Sequence, residues 1–234
     1  PIWGSRVGVS QSGITVLLIR HARSVANAEG ILAGRLPGIE LDEDGIEQSN
    51  LLASKLKNLP IEFVVHSDLE RTKKTVAPLI SERNLKNVED VAFTECDYGD
   101  WSGRKLSELA LEPLWKDIQT RPSSVRFPRG ESMVEMQERA VGGLEHWTQK
   151  ADSVFAICSH GDVIKSMVAY CIGLPLDCFQ SLHVAPASLT VVRRSHDGWA
   201  LLTLNQSVGD DVVKGLALAA MPTIGGGDVD AGTV

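Results

Sequence analysis

Two patterns of hydrophobic residues alternate along the sequence. Short continuous apolar runs are typical of strands buried on both faces of a parallel sheet, and apolar residues three or four positions apart are typical of helices with one buried face. The first pattern predicts strands at residues 15–19, 62–67, 88–95 and 153–161. The second predicts helices at residues 46–59, 69–82, 132–150 and 162–173. Between these elements, residues 100–130 are expected to be irregular with short helical pieces.

Capping and turn residues support these boundaries. Ser132 and Glu135 have the spacing of a capping box at a helix start, and Gly173 is typical of a helix end. Pro78 is expected to limit or kink the helix that contains it. Residues 188–205, "SLTVVRRSHDGWALLTLN", predict a hairpin with "HDG" at its turn.

The order of the elements predicts the fold class. Strands and helices alternate until the hairpin, which is typical of an α/β fold: a three-layer α/β/α sandwich with a mainly parallel central sheet and an antiparallel edge strand. Residues 1–205 are expected to form one domain. Residues 206–234, which include "GGGDVDAGTV", are expected to form a glycine-rich C-terminal tail.

Composition narrows the class of partner. The 234 residues are 43% hydrophobic and 23% charged, with a net charge of −7 and no block of lysine and arginine, so neither nucleic acid nor an anionic membrane is an expected partner. No apolar run reaches the ~18 residues of a membrane span, and the first residues lack the apolar core of a signal peptide. The four cysteines form no C-x-x-C pair, which indicates reduced thiols. We therefore expect a cytoplasmic protein.

Residues suited to phosphate chemistry stand where the predicted strands end. They are Arg20 and His21 after the first strand, Arg71 in the first turn of the helix after the second, Glu95 at the end of the third, and His160 and Gly161 after the last. Because the carboxyl ends of parallel strands share one edge of a sheet, where ligands bind, these segments are expected to converge.

The residue types indicate phosphoryl transfer. Arginine forks match phosphate geometry, and their charge should hold His21 neutral, the form whose lone pair can attack phosphorus. A neighbouring carboxylic acid, for which Glu95 is the candidate, can protonate the leaving oxygen. His160 can stabilise the charge on the transferring group. The expected intermediate is a phosphohistidine.

Four segments, in order, resemble a known family. "LLIRHARSVAN" is similar to the "RHG" signature of the histidine phosphatase superfamily, which is also called phosphoglycerate mutase-like. "VVHSDLERTKKT" resembles its second arginine segment, "ECDYGDWSG" its acid segment and "SHGDVI" its second histidine segment. The resemblance covers roughly residues 15–204, so the domain over residues 1–205 is expected to be the catalytic domain.

The resemblance implies a role for each matching residue and implies neither a metal nor a cofactor. His21 would be the nucleophile and Glu95 the proton donor, with His160 as the third catalytic residue. The residues that would contact the substrate phosphate are Arg20, Arg71, Asn27, Ser24 and Gly161.

Two positions depart from the family pattern, and the assignment of Glu95 as the proton donor has alternatives. Ala22 replaces the usual glycine after the histidine, a change that is minor unless the residue needs a positive φ. Arg23 replaces a frequent Glu or Gln and is expected to add positive charge near the mouth of the site. Asp97 and Asp100 are close to Glu95 in sequence and are alternative proton donors.

Three functions remain open from the sequence. The stretch from Glu95 to His160 is short, and it carries "RFPRGESM", which resembles the "F-P-x-G-E-S" segment of phosphatase-like members. Metal-independent hydrolysis of a small phosphomonoester is therefore favoured. Phosphoglycerate mutase-type transfer comes second, and a catalytically weak sensor of a phosphate ligand comes third. The expected partner is a small phosphorylated substrate, together with a possible homodimer.

Overall fold

The computed structural model describes residues 13–207, which form a six-stranded sheet in the order β3-β2-β4-β1-β5-β6. The strands are β1 (Ile14–Arg20), β2 (Phe63–His66), β3 (Lys86–Glu89), β4 (Val154–Ser159), β5 (Leu189–Ser195) and β6 (Gly198–Gln206). The α-helices are α1 (Val25–Ala28), α2 (Glu43–Leu56), α3 (Glu70–Arg83), α4 (Leu106–Leu109), α5 (Pro113–Thr120), α6 (Met133–Thr148) and α7 (Gly161–Cys171). Short 3-10 helices lie at Val91–Phe93, Gly99–Trp101, Pro122–Ser124 and Leu176–Ser181.

The sheet is parallel on one side and antiparallel on the other. The pairs β1–β4, β4–β2 and β2–β3 are parallel, whereas β5 runs antiparallel to β1 and β6 runs antiparallel to β5. In this register Arg20 pairs with Ser159, and His66 pairs with Cys158. The ends of β1, β2 and β4 therefore lie side by side, which places the residues that follow them at one edge.

Helices cover both faces, as the alternating side chains of β1 require. Val16 and Leu18 join one hydrophobic core, which also holds the buried faces of α6 and α7. Leu17 and Ile19 join a second core on the opposite face, with α2 and α3. The predicted three-layer α/β/α architecture is confirmed.

Most local signals act as expected. The Ser132 hydroxyl accepts from the backbone N–H of Glu135, whose carboxylate accepts from the backbone N–H of Ser132, so the capping box that starts α6 is confirmed. Gly173 has a φ of +66° just beyond α7. Pro78 lies inside α3, which continues beyond it to Arg83.

The third strand differs from its prediction. It spans Lys86–Glu89 rather than residues 88–95, because the carboxylate of Asp90 accepts from the backbone N–H of Ala92 and turns the chain into a 3-10 helix. The placement of Glu95 at a strand end is therefore wrong, and Glu95 lies in the loop after that helix.

The C-terminal prediction falls mostly beyond the described chain. β6 extends to Gln206, and residues 208–234 of the predicted tail lie outside the described residues. No helix within residues 13–207 is long and apolar enough to cross a membrane.

Candidate active site

The carboxyl edge of the sheet brings the two predicted histidines together. The backbone N–H of His21 donates to the carbonyl of Ser159 at 2.9 Å, which continues the β1–β4 pairing by one residue. His160 follows Ser159, and the ring centroids of His21 and His160 lie 5.2 Å apart. Segments far apart in the sequence thus meet in one site.

His21 is held as a neutral imidazole with one free lone pair. Its Nδ1 lies 2.8 Å from the carbonyl oxygen of Ala22, and because a carbonyl only accepts, Nδ1 carries the proton and Nε2 the lone pair. Burial lowers the pKa of His21 well below its ordinary value, and the charges of Arg71 and Arg20 lower it further. The ring lines a polar pocket.

Arg71 gives that pocket its positive charge. The side chain is buried at the start of α3, and its Nη2 donates to the carbonyl of Gly34 at 2.8 Å and to Nδ1 of His160 at 3.1 Å. Its Nε and Nη1 are buried and have no hydrogen-bond partner among the described residues. Buried unpaired donors are unfavourable, so these two nitrogens point to an anionic ligand.

His160 and Arg20 lie behind the pocket wall. Because Nδ1 of His160 accepts from Arg71, its Nε2 carries the proton and donates to the hydroxyl of Ser67 at 2.8 Å. Burial lowers the pKa of His160 well below its ordinary value, as do the nearby arginines, Arg71 above all. Arg20 donates through Nη1 to the carbonyl of Val184 at 2.6 Å. Neither side chain is among those that line the pocket, and Gly161, at the start of α7, is not either.

Glu95 reaches the pocket from its loop. The backbone N–H of Cys96 donates to its Oε1 at 2.9 Å, and its Oε2 lies 3.9 Å from Nδ1 of His160. Burial raises the pKa of Glu95 to about 7, the negative charge of Asp162 adds to this, and the positive charge of Arg71 opposes it. A carboxyl that is protonated near neutral pH can donate a proton.

The two alternative proton donors are engaged elsewhere. A carboxylate oxygen of Asp97 accepts from the backbone N–H of Gly99. Asp100 forms an ion pair with Arg129. Glu95 lines the pocket and neither aspartate does, so the geometry favours Glu95.

Ser24 and Asn27 complete the polar wall as a capping box around α1. The hydroxyl and the backbone N–H of Ser24 both donate to Oδ1 of Asn27, at 2.9 and 3.0 Å, and the backbone N–H of Asn27 donates back to the Ser24 hydroxyl. Both residues line the pocket. These bonds to Oδ1 orient the Asn27 amide, and its Nδ2, which carries the hydrogen-bond donors, is the group that can bind an anion.

The two departures from the family pattern leave the site intact. Ala22 is not among the residues with a positive φ, so replacing glycine introduces no backbone strain there. Arg23 is paired with the carboxylates of Asp42 and Asp44 at the start of α2. The expectation that Arg23 adds charge at the mouth of the site is therefore corrected, since these carboxylates offset its charge.

Sequence reasoning missed part of the pocket. Tyr98 lines it and is fully buried, with its hydroxyl donating to a carboxylate oxygen of Asp162 at 2.9 Å. Gly34 supplies the carbonyl that orients Arg71. The remaining wall is apolar, from Ile31 to Ala33. Tyr98 lies within "ECDYGDWSG" and Asp162 within "SHGDVI", but nothing in either segment signals that the two side chains meet.

Two further residues near the site have structural environments. The ring of His66 contacts the carbonyl of Ser67 at 2.9 Å and Oδ1 of Asn87 at 3.4 Å, and it lines a separate groove. Cys96 is buried, and burial raises the pKa of its thiol well above the ordinary value, which disfavours the reactive thiolate. Within the described part of the chain, no group of three or more His, Cys, Asp or Glu side chains is arranged to hold a metal ion.

Fold and site together define a class of protein. The sequence profile of the histidine phosphatase superfamily (branch 1) matches residues 16–207, which include every residue of the site. The chain belongs to this superfamily, and it is an enzyme of the histidine phosphatase type.

Individual relatives share most of the chain. Phosphoserine phosphatase 1 of Hydrogenobacter thermophilus is 30% identical over 200 residues, which are 82% of this chain and 92% of that protein. The probable phosphoglycerate mutase GpmB of Yersinia pestis (strain Pestoides F) is 29% identical over 189 residues, 80% of this chain and 87% of that protein. The crystal structure of the alpha-ribazole phosphatase from Shigella flexneri has a TM-score of 0.74 at 25% identity, and the match covers 84% of this chain and 98% of that one.

Proposed function

We propose that this enzyme hydrolyses a small phosphomonoester through a phosphohistidine on His21. The observation that carries the proposal is one pocket in which a neutral imidazole with a free Nε2 faces the same space as Arg71, a buried cation with two unpartnered donor nitrogens. That combination suits a phosphate that accepts the arginine hydrogen bonds and is attacked by the imidazole.

The first half-reaction moves the phosphoryl group to the protein. Arg71 and the amide of Asn27 hold the phosphate oxygens, while Arg20 and His160 offset charge from behind. Nε2 of His21 forms a bond to phosphorus as the bond between phosphorus and the alcohol oxygen breaks. Glu95 gives its proton to that oxygen, so that the alcohol leaves neutral.

The second half-reaction restores the enzyme. Glu95, now a carboxylate, takes a proton from a water molecule as the water oxygen attacks phosphorus. The bond between Nε2 and phosphorus breaks and inorganic phosphate leaves. His21 is again neutral and Glu95 again protonated, so the cycle needs neither a metal nor a cofactor.

The pocket wall favours hydrolysis over mutase chemistry. Arg71 is the one cationic side chain among the pocket-lining residues that the structure describes, and the wall from Ile31 to Ala33 is apolar. A phosphoglycerate carries a carboxylate as well as its phosphate, and a mutase must hold that substrate while it is phosphorylated a second time. Buried anions need partners, so this wall fits a monoester without a second anionic group.

The test is product analysis on matched substrates. The wild-type chain and its His21→Asn variant are incubated, with excess chelator, with an aryl phosphate, an alkyl phosphate and 3-phosphoglycerate, and inorganic phosphate and phosphoglycerate isomers are measured. We expect phosphate release by the wild type alone, with little conversion to 2-phosphoglycerate. Isomer formation without phosphate release would assign the mutase. Phosphate binding without turnover of any ester would assign the sensor.

A further inference from the structure

A buried polar network lies directly behind the pocket wall and consists of Tyr98, Asp162, Lys165 and Gln180. Asp162 is 1% exposed and Lys165 3%, and both are on α7. One carboxylate oxygen of Asp162 accepts from the hydroxyl of Tyr98 at 2.9 Å, and the other lies 3.5 Å from Nζ of Lys165. Nζ also donates to Oε1 of Gln180 at 2.5 Å and stands 4.4 Å from the ring centroid of Phe179. The charged groups of Asp162 and Lys165 therefore both have partners inside the protein.

The packing of α7 does not explain why Asp162 and Lys165 are charged residues. Their neighbours Val163, Ile164 and Met167 are fully buried apolar residues of the same helix, and apolar side chains of similar volume are usually at least as stable as a buried ion pair. Removing two charges from water is unfavourable even when they are paired. Such a pair beside a catalytic pocket therefore points to a functional role.

Tyr98 and His160 connect the buried polar network to Glu95. Tyr98, which bonds Asp162, lies three residues after Glu95 on the same loop, and both side chains line the pocket. Asp162 also follows His160 by two residues, and Nδ1 of His160 is 3.9 Å from the Glu95 carboxylate. Titratable and charged groups reach Glu95 from β1, the loop before α2, α3, α6, its own loop and the start of α7. They are Arg20, Arg35, Arg71, Arg139, Cys96, Tyr98, His160, Asp162 and Lys165.

We propose that Asp162 is a positioning residue that keeps the carboxyl of Glu95 protonated in the resting enzyme, and that Tyr98 and Lys165 hold the Asp162 side chain in place for this purpose. The inference rests on the proposed function, because a proton-donating Glu95 is what benefits from such a neighbour. Arg71 and Arg20 favour the ionised form of Glu95, which has no proton to give, and without the charge of Asp162 burial would be the main influence left to oppose them.

Electrostatics at Glu95 agree with this role. After burial, the charge of Asp162 is the largest influence that raises the pKa of Glu95, and Arg71 and Arg20 act in the opposite direction. The arginines of the phosphate site therefore lower the pKa of Glu95, and Asp162 opposes this effect. Arginines that bind substrate and an acid that must stay neutral are thus made compatible in one pocket.

The variant Asp162→Asn tests the inference. Asparagine has the same shape and still accepts the Tyr98 hydrogen bond, but it carries no charge. With an alkyl phosphate as substrate, the alkaline limb of the kcat/KM profile should move to lower pH by about one unit, the size of effect typical of a nearby charge, while the rate on the acid side of the profile is retained. Asp197→Asn is the matched control, since that carboxylate is 96% exposed at the hairpin turn, and its profile should match the wild type.

A second variant covers the loss of folding that an unpaired Lys165 could cause. In Asp162→Asn/Lys165→Met both buried charges are gone, and the alkaline limb should still move to lower pH, because Asp162 is the member of the pair that dominates at Glu95. A folded, active variant of either kind with its alkaline limb at the wild-type pH would overturn the inference and leave the proposed function standing. A wild-type chain that hydrolyses no phosphomonoester would instead overturn the proposed function.

Discussion

Burial shifts the pKa values of His21 and Glu95 in opposite directions, and in both residues it favours the neutral form that the proposed role needs. Burial and two arginines lower the pKa of His21, so the imidazole stays neutral down to acidic pH. Burial and Asp162 raise the pKa of Glu95 to about 7, so the carboxyl stays neutral up to neutral pH. Between these limits both groups carry no charge, the form that each needs before phosphoryl transfer.

Replacing Glu95 with Gln should separate two classes of substrate. The wild-type kcat/KM profile should fall on its alkaline side near pH 7, as Glu95 loses its proton. Glu95→Gln should lack that limb and slow alkyl phosphates by about 10²–10⁴-fold, with a much smaller effect on aryl phosphates, whose leaving groups need little protonation. Asp97→Asn and Asp100→Asn are the controls. Equal losses on both substrate classes, with the alkaline limb unmoved, would exclude Glu95 as the proton donor.

The raised pKa of Glu95 should also make the stability of the fold depend on pH. The pKa of Glu95 is about 7 in the folded chain and 4.5 in an unfolded one, so its favourable contribution is complete below pH 4.5 and is lost as pH rises through 7. Glu95→Gln cannot ionise and should therefore gain stability relative to the wild type at pH 8, and much less at pH 5. Denaturant unfolding at the two pH values measures the difference. An equal effect of the substitution at both would contradict the raised pKa.

At the scale of elements, α2 fixes the loop that follows His21. Its first turn packs so closely on that loop that a Cβ on Gly45 would lie 1.9 Å from the carbonyl oxygen of Arg23. Asp42 caps the same turn and also pairs with Arg23. The position of the loop that follows His21 therefore depends on the packing of a helix that supplies none of the pocket-lining residues.

Two glycine-to-alanine changes on helices test this packing. Gly45→Ala should destabilise the fold by about 1–3 kcal/mol, as overpacking does, and should lower kcat by displacing Arg23 in the loop that follows His21. Gly142→Ala on α6, where an added Cβ meets nothing within 4 Å, should be neutral or should stabilise by up to ~1 kcal/mol. Thermal unfolding and steady-state rates distinguish the two. Similar behaviour of both variants would show that the close approach at Gly45 has no consequence.

How far the sequence predicts the structure differs from element to element. β1 and β4 are buried on both faces, so continuous apolar runs mark them and the histidines that follow them. Every residue of β3 is exposed, and β3 has no continuous apolar run, so the hydrophobic pattern misplaces its bounds and Glu95. The bond between Tyr98 and Asp162 joins residues 64 apart in sequence, and no local pattern signals such a contact.

On the scale of the whole molecule, a positive site lies inside a negative chain. The net charge is −7, yet the guanidinium groups of Arg20 and Arg71 are buried at one edge of the sheet, and Nε and Nη1 of Arg71 have no partner within residues 13–207. The folded state can therefore gain hydrogen bonds by taking up an anion, which the unfolded chain cannot do. Ligand binding of this kind stabilises the fold by mass action.

Inorganic phosphate should raise the melting temperature. At about one hundred times its dissociation constant, the expected stabilisation is about 2.7 kcal/mol, which corresponds to several degrees. Arg71→Met should lose most of this shift, whereas Arg121→Met, whose side chain is 67% exposed, should keep it. Differential scanning fluorimetry with phosphate, and with chloride at equal ionic strength, makes the comparison. Equal shifts in both variants would place the anion elsewhere.

The central claim is that His21 carries the phosphoryl group during turnover, and trapping that group tests it most directly. The enzyme is mixed with a radiolabelled phosphomonoester, quenched in alkali within the first turnover and digested for peptide mapping. We expect label on the peptide that contains His21, stable in alkali and lost in acid. His21→Asn should show neither label nor turnover, whereas His196→Asn, which changes a fully exposed histidine at the hairpin turn, should show both. Full activity of His21→Asn, or label on another residue, would contradict the account.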